Sequence, residues 1–180
     1  TALSGPAICG SNSNVGVALD LNVCTRNYDQ DSISMQGIES METFEENDTI
    51  FVAVVAQNVE NLHTYDFDIC FDPTKLEFDT QLGWLENDFF GVVCSDPITN
   101  LMHKNGGTTV KPFAKSVSTR CYNVASSINN CTEELAPEGS GVLGIMPSKV
   151  LQGGSCIAVE LLDVNFIDTE GDSHDIPVAE

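Results

Sequence analysis

The sequence predicts an all-β fold, a sandwich or a barrel, and three observations carry that prediction. Apolar residues almost never recur with helical spacing, whereas short apolar stretches alternate with clusters of Gly, Asn, Asp and Pro. In Thr64–Phe71 apolar and polar residues alternate strictly, so that Tyr65, Phe67, Ile69 and Phe71 share one face. The chain has 180 residues, 42% of them hydrophobic, which is enough for one domain with a substantial core.

Strand-like segments follow one another along most of the chain. The clearest are Val15–Cys24, Ser32–Ile38, Thr49–Val59 and Thr64–Phe71, and shorter ones are Lys75–Phe78, Gly141–Ile145 and Cys156–Phe166. Residues 80–140 give a weaker pattern, with short apolar pieces at Phe89–Cys94 and Val110–Val117 between loop-forming runs. We therefore assign residues 1–31 to an N-terminal extension with one additional strand and residues 32–180 to the β-domain.

Thr49–Val59 differs from the other strands because both of its faces are apolar. The outer face of a two-layer sandwich is normally wet, so this strand predicts a cover, either the N-terminal segment or another molecule. The additional strand of residues 1–31 either folds back on its own chain or is donated to a neighbouring copy by β-augmentation. On the second alternative, the residues that contact another chain are Val15, Val17, Leu19, Leu21, Phe51 and Val55.

The charge is strongly unbalanced, with 27 acidic against 7 basic residues and a net charge of −20. Such a surface repels nucleic acid and anionic lipid, so we expect neither as a partner. No apolar run reaches the roughly 18–20 residues that a membrane span needs, so no membrane insertion is expected. Four of the bases, Lys104, Lys111, Lys115 and Arg120, lie in one stretch that either docks on an acidic face of another copy or is simply solvated.

Seven cysteines are spread along the chain without any C-x-x-C pair, which argues against a zinc ribbon or a thioredoxin-like site. Dispersed cysteines are typical of an oxidising compartment and predict a secreted or cell-surface protein. Local closures at Cys9–Cys24 and Cys121–Cys131 would each staple a short polar loop. Cys70 lies on the polar face of its strand, and its partner is expected among Cys9, Cys24 and Cys156.

An odd number of cysteines leaves one thiol over, and that thiol could join two subunits. Two N-x-T sequons, at Asn47 and Asn130, are candidate glycosylation sites in a secreted chain.

A calcium site is the one metal centre that the sequence suggests. Asp168, Glu170, Asp172 and Asp175 place four carboxylates in a short turn containing glycine, and hard oxygen ligands suit Ca²⁺. The alternative is a polar hairpin turn between two strands.

Catalytic motifs are not recognisable. The three histidines, His63, His103 and His174, are scattered, and none belongs to a nucleophile motif, so we expect no enzyme. Trp84 could stack on a sugar ring, as in carbohydrate-binding modules, or could lie in the core beside Leu82 and Leu85.

The segment ENDTIFVAVVAQNVENLHTYDFDICFDPTKLEFDT, Glu46–Thr80, resembles the cohesin modules of cellulosome scaffold proteins. Phe71–Phe78 is similar to that family's "YDP-KLEF" turn, and Gly153–Val178 resembles its closing strands. The resemblance covers residues 32–80 and 141–178, and it implies a two-sheet jelly-roll β-sandwich that binds a dockerin through one sheet face without catalysis. We therefore expect an extracellular protein-binding or assembly module that captures a dockerin-like partner or its own copies in a surface layer or filament. A carbohydrate-binding module is the alternative.

Overall fold

A computed structural model describes residues 16–20, 44–86, 88–91, 94–95, 102–103, 108–128, 136–137, 139–153 and 157–175. The elements in these ranges are strands apart from one short helix, and no helix among them is long and apolar enough to cross a membrane. In chain order they are β1 (Gly16–Asp20), β2 (Thr49–Val59), β3 (Leu62–Phe71), β4 (Leu76–Phe78), β5 (Leu85–Glu86), α1 (Asp88–Gly91), β6 (Cys94–Ser95), β7 (Met102–His103), β8 (Thr109–Ala114), β9 (Arg120–Ser127), β10 (Gly139–Val150), β11 (Val159–Asp168) and β12 (Ser173–Asp175).

Two antiparallel sheets make up the fold, and β6 and β7 form a separate short ladder. The first, sheet A, has the order β1-β2-β10-β4, with β5 also pairing with β10. The second, sheet B, has the order β12-β11-β3-β9-β8. One hydrophobic cluster joins them, because it contains Val52 and Val54 of sheet A together with Phe67 and Ile69 of sheet B. The predicted two-sheet β-sandwich is confirmed.

β3 has the two faces that its alternation predicts. Tyr65, Phe67 and Ile69 are fully buried in the core, whereas Asp66 and Asp68 between them are half-buried on the other side of the sheet. Burying a large apolar side chain contributes about 1.5–3 kcal/mol, so this strand is a main anchor of sheet B.

β2 has the predicted bounds and is buried on both faces. Val52 and Val54 point into the main core, while Ala53 and Val55 on the other face are 0% exposed. Val142 and Ile145 of β10 join those two in a second cluster, against which Phe51 and Leu85 also pack. The outer face of sheet A is therefore covered at its centre.

β1 pairs antiparallel with β2 of the same chain, from Gly16 opposite Gln57 to Asp20 opposite Ala53. This pairing buries Val17 and Leu19 in the main core at 2% and 4% exposure. In the structure, the additional strand therefore folds back on its own chain. The prediction that Val17, Leu19 and Val55 contact another chain is wrong, because all three are buried within this one. Phe51 is half-buried against the second cluster. Val15 and Leu21 lie outside the described residues, as does the predicted strand Ser32–Ile38.

Two polar turns connect the first strands. Between β2 and β3 the chain crosses from one sheet to the other within two residues, and Asn58 and Asn61 adopt the left-handed conformation that asparagine tolerates best among residues with a side chain. After β3, the Asp72 carboxylate accepts hydrogen bonds from the Thr74 hydroxyl (2.7 Å) and the Thr74 backbone N–H (2.8 Å). These bonds lower the pKa of Asp72 and hold the turn in place.

Candidate functional site

The face of sheet B that points away from the core is the candidate site, and we call it the open face. Strand alternation and register define its members. They are Thr64, Asp66, Asp68 and Cys70 on β3, Cys121, Asn123, Ala125 and Ser127 on β9, Thr109, Lys111 and Phe113 on β8, and Glu160, Leu162, Asn165 and Ile167 on β11.

The two outer faces of the sandwich differ in exposure. On sheet A, the side chains of Ala53, Val55, Val142 and Ile145 are at most 1% exposed. On the open face of sheet B, every member except the two cysteines is half-buried or exposed. Half-burial is the state of side chains that stand next to one another on an uncovered sheet. Among the described residues, sheet B therefore presents the accessible sheet face.

A side-chain amide orders the centre of the open face. The Nδ2 amide of Asn123 on β9 donates one hydrogen bond to Asp66 Oδ1 (2.7 Å) and another to Asp68 Oδ1 (3.0 Å), both on β3. The two carboxylates are thereby held in fixed positions. Each carboxylate has a second oxygen, so the pair can accept hydrogen bonds from a cationic or amide group of a bound molecule.

A disulfide between Cys70 and Cys121 joins β3 to β9 on the same face. The two cysteines are directly opposite in the ladder, with Cα atoms 4.1 Å apart, and both are buried. The predicted Cys121–Cys131 closure is therefore wrong, as is the expectation that Cys70 pairs with Cys9, Cys24 or Cys156. The strand register decides the pairing, because it places these two sulfurs side by side. Cys9, Cys24 and Cys131 lie outside the described residues, so the Cys9–Cys24 closure remains a prediction.

The hairpin of β8 and β9 carries basic and apolar side chains at the edge of the open face. Lys111, Lys115 and Arg120 are all exposed, and their docking on another copy remains a prediction. Phe113 is 39% exposed, and Val117 at the tip is fully exposed. These three bases are a large share of the seven in the chain, so the hairpin contrasts with an otherwise acidic molecule. Lys104 is outside the described residues.

The acidic turn after β11 is ordered by its own hydrogen bonds. Asp168 Oδ1 accepts from the backbone N–H groups of Glu170 (2.9 Å) and Asp172 (3.0 Å), as in a polar hairpin turn. No three His, Cys, Asp or Glu side chains in the described parts of the chain are grouped so that they could hold a metal ion. The side chain of Asp175 is outside those parts, and calcium binding here remains a prediction.

Of the two sequons, Asn47 lies in an exposed turn, and Asn130 is outside the described residues. Glycosylation also remains a prediction.

Trp84 is half-buried and packs against the core of the sandwich. Its ring contacts Phe67 edge-on, with centroids 5.9 Å apart, and its Nε1–H donates to the Tyr65 hydroxyl at 3.2 Å. A Cβ atom on Gly144 would approach the ring to 2.4 Å, so the glycine is needed for this packing. Of the two alternatives for Trp84, packing against the core is confirmed. The ring that suggested sugar stacking is therefore engaged in packing.

The Tyr65 hydroxyl also lies 3.4 Å from Glu86 Oε1, an oxygen that accepts a hydrogen bond from Ser126 at 2.9 Å. Burial, together with the nearby negative charge of Glu86, raises the pKa of Tyr65 far above its usual value. The sequence does not predict this polar cluster, because the three residues are far apart in the chain and only the sandwich brings them together.

The comparisons with known proteins concern the fold. No protein-family model matches the sequence, and no curated protein matches it. A type II cohesin domain from the cellulosome of Acetivibrio cellulolyticus is similar in structure, with a TM-score of 0.52 and 14% identity over 76% of this chain and 84% of that one. The type II cohesin A11 of Bacteroides cellulosolvens has a TM-score of 0.51 and 14% identity over 74% and 85% of the two chains.

A third similar structure comes from a type II cohesin–X-dockerin complex of Acetivibrio cellulolyticus. Its TM-score is 0.51 and its identity 15%, over 87% of this chain and 90% of that one. At such identities the similarity concerns the fold alone. The chain has a cohesin-like fold, as the resemblance at Glu46–Thr80 predicted.

Proposed function

We propose that the chain is a non-catalytic, extracellular protein-binding module whose binding surface is the open face of sheet B. The contrast between the two outer faces carries this proposal. The outer face of sheet A has a buried apolar cluster, whereas the open face has half-buried and exposed side chains of mixed chemistry. A flat surface that combines apolar side chains such as Leu162 and Ile167 with ordered polar groups suits a protein partner better than a small ligand.

The rigidity of the open face also supports binding. The Cys70–Cys121 disulfide and the Asn123 bridge fix β3 against β9, so fewer conformations are lost when a partner docks. The disulfide also supports an extracellular location, because such bonds persist in oxidising compartments.

The partner that we propose is a dockerin-like module or another copy of the chain in a surface assembly. The similar cohesin that was solved with an X-dockerin supports the first. The basic hairpin on an acidic molecule supports the second. Sugar binding is not favoured, since Trp84 packs against the core and its ring contacts Phe67.

Two charge-reversing variants test the location of the binding surface. Asp68→Arg changes the centre of the open face, and Glu77→Arg makes the same change in charge on β4 of sheet A, where Glu77 is exposed. Extracellular proteins of the source organism would be offered to immobilised wild type and to both variants. We expect Asp68→Arg to lose about tenfold or more in affinity for a captured protein and Glu77→Arg to keep it. Equal retention by Asp68→Arg, or loss with Glu77→Arg alone, contradicts the proposal.

A further inference from the structure

The open face carries opposite charges on the two strands that flank β9. Lys111 on β8 and Asp68 on β3 are both in register with Asn123, so the three side chains form one row across the sheet. Neighbouring strands are about 4.8 Å apart, which places the lysine and the aspartate roughly 10 Å from each other. Asn123 lies between them and donates a hydrogen bond to Asp68.

This arrangement is complementary to itself. A second copy, rotated by 180° about an axis parallel to the strands and above β9, brings its β8 over the β3 of the first copy. The same rotation brings β8 of the first copy over β3 of the second. Because the axis is parallel to the strands, each Lys111 stays in its row and faces the partner's Asp68. An isologous contact needs this reciprocity.

The other rows of the face agree with the same arrangement. Phe113 shares its row with Cys121 and Cys70, so each half-exposed ring faces the disulfide of the second copy. On the axis itself, Asn123 and Ala125 of the two copies meet, and neither carries a charge. No like charges are opposed among the residues of β3, β8 and β9 on this face.

We infer that the open face binds a second copy of this chain face to face, through reciprocal Lys111–Asp68 contacts about an axis over β9. The inference uses the surface of the proposed function, so self-association and capture of another protein exclude each other. The chain would then cover its own binding surface until a tighter partner displaces the second copy.

Two effects limit the strength of the dimer. The net charge of −20 repels a second copy, although screening confines that repulsion to about 8 Å at physiological ionic strength, whereas the reciprocal pairs act at contact. Three strands also give a contact smaller than the roughly 800 Å² per partner of stable complexes. We expect a reversible dimer with a dissociation constant on the order of 10–100 µM.

A charge exchange between two variants tests the geometry. Sedimentation velocity at about 0.15 M salt would compare wild type, Lys111→Glu, Asp68→Lys and an equimolar mixture of the two variants. In a dimer of either variant alone, both contacts bring like charges together, so the association should weaken about tenfold or more. In the mixed dimer, one contact joins the two substituted side chains, whose charges are opposite, and the other contact remains Lys111 against Asp68. The mixture should therefore associate within about threefold of the wild type.

Lys149→Glu is the matched control, because Lys149 is exposed on sheet A and the substitution changes the charge as Lys111→Glu does. Its association should equal that of the wild type. A wild type that stays monomeric at about 0.5 mM, a mixture no stronger than its components, or an equal loss in Lys149→Glu would each overturn the inference. The proposed function is judged separately, by whether Asp68→Arg loses the captured extracellular protein.

Discussion

At the scale of single residues, Tyr65 shows how the core tolerates polar atoms. Its ring is buried against Phe67 and Phe90, and its hydroxyl accepts a hydrogen bond from the indole N–H of Trp84. The carboxylate of Glu86 lies 3.4 Å from that hydroxyl. A phenolate at this position would be buried and close to a negative charge, so the folded chain strongly favours the neutral phenol.

This preference predicts a loss of stability in alkaline solution. Unfolded tyrosine ionises at about pH 10, whereas burial and Glu86 raise the pKa of Tyr65 in the folded chain. The contribution of neutral Tyr65 to the free energy of unfolding is therefore complete below about pH 10. It is lost as the pH rises, by up to about 1.4 kcal/mol per pH unit. Urea unfolding between about pH 9 and pH 11 should show this slope in the wild type and a flatter one in Tyr65→Phe.

The lost hydrogen bond from Trp84 lowers the stability of Tyr65→Phe by about 1 kcal/mol below about pH 9, where tyrosine is neutral in both states, so the slope and not the absolute value is the readout. Identical slopes in the two proteins would show that Tyr65 does not cause the alkaline loss.

At the scale of elements, a disulfide and a side-chain bridge reinforce the pairing of β3 with β9. The Cys70–Cys121 bond and the Asn123 bridge both cross this ladder. The disulfide joins residues separated by 51 positions, and a covalent closure of that length removes much conformational freedom from the unfolded chain.

We expect the double variant Cys70→Ala, Cys121→Ala to lower the free energy of unfolding by about 2–4 kcal/mol. Guanidinium unfolding under non-reducing conditions measures the difference. The pairing itself is checked by digestion of the unreduced wild type, which should release a peptide containing Cys70 joined to one containing Cys121. A Cys121–Cys131 peptide, or a double variant as stable as the wild type, would contradict the pairing.

The sequence predicts the strands whose apolar residues follow a clear pattern, either on every position or on every second one. β2 is predictable because it is apolar on both sides, and β3 because it alternates. β9 escapes prediction, since its inward side mixes Tyr122 and Val124 with Ser126 and its outward side has no charge at all. Without β9, neither the bridge from Asn123 nor the disulfide can be predicted, because both depend on a register between strands far apart in the chain.

At the scale of the whole molecule, β1 is the edge strand of sheet A, where it covers β2 and adds two side chains to the core. Removing residues 1–31 would expose the edge of β2 and delete the buried Val17 and Leu19 side chains. We expect a loss of stability of about 3–6 kcal/mol and increased association, because a bare strand edge pairs with other chains.

Light scattering of the full and shortened chains distinguishes this expectation from strand donation. A donated strand would make the full chain an oligomer and the shortened chain a monomer. If β1 completes its own sandwich, as in the structure, the shortened chain should associate more than the full one.

The strand order of sheet A also has a consequence for synthesis. β2 lies between β1 and β10, and β10 is made long after β2 and β3 and only after β9. A growing chain thus carries both cysteines of the Cys70–Cys121 bond before the central neighbour of its most apolar strand has been made. Contacts between such distant segments form slowly. We expect that the disulfide can form in the nascent chain while β2 is still exposed. The timing of oxidation, and not the final stability alone, would then govern the yield of folded protein.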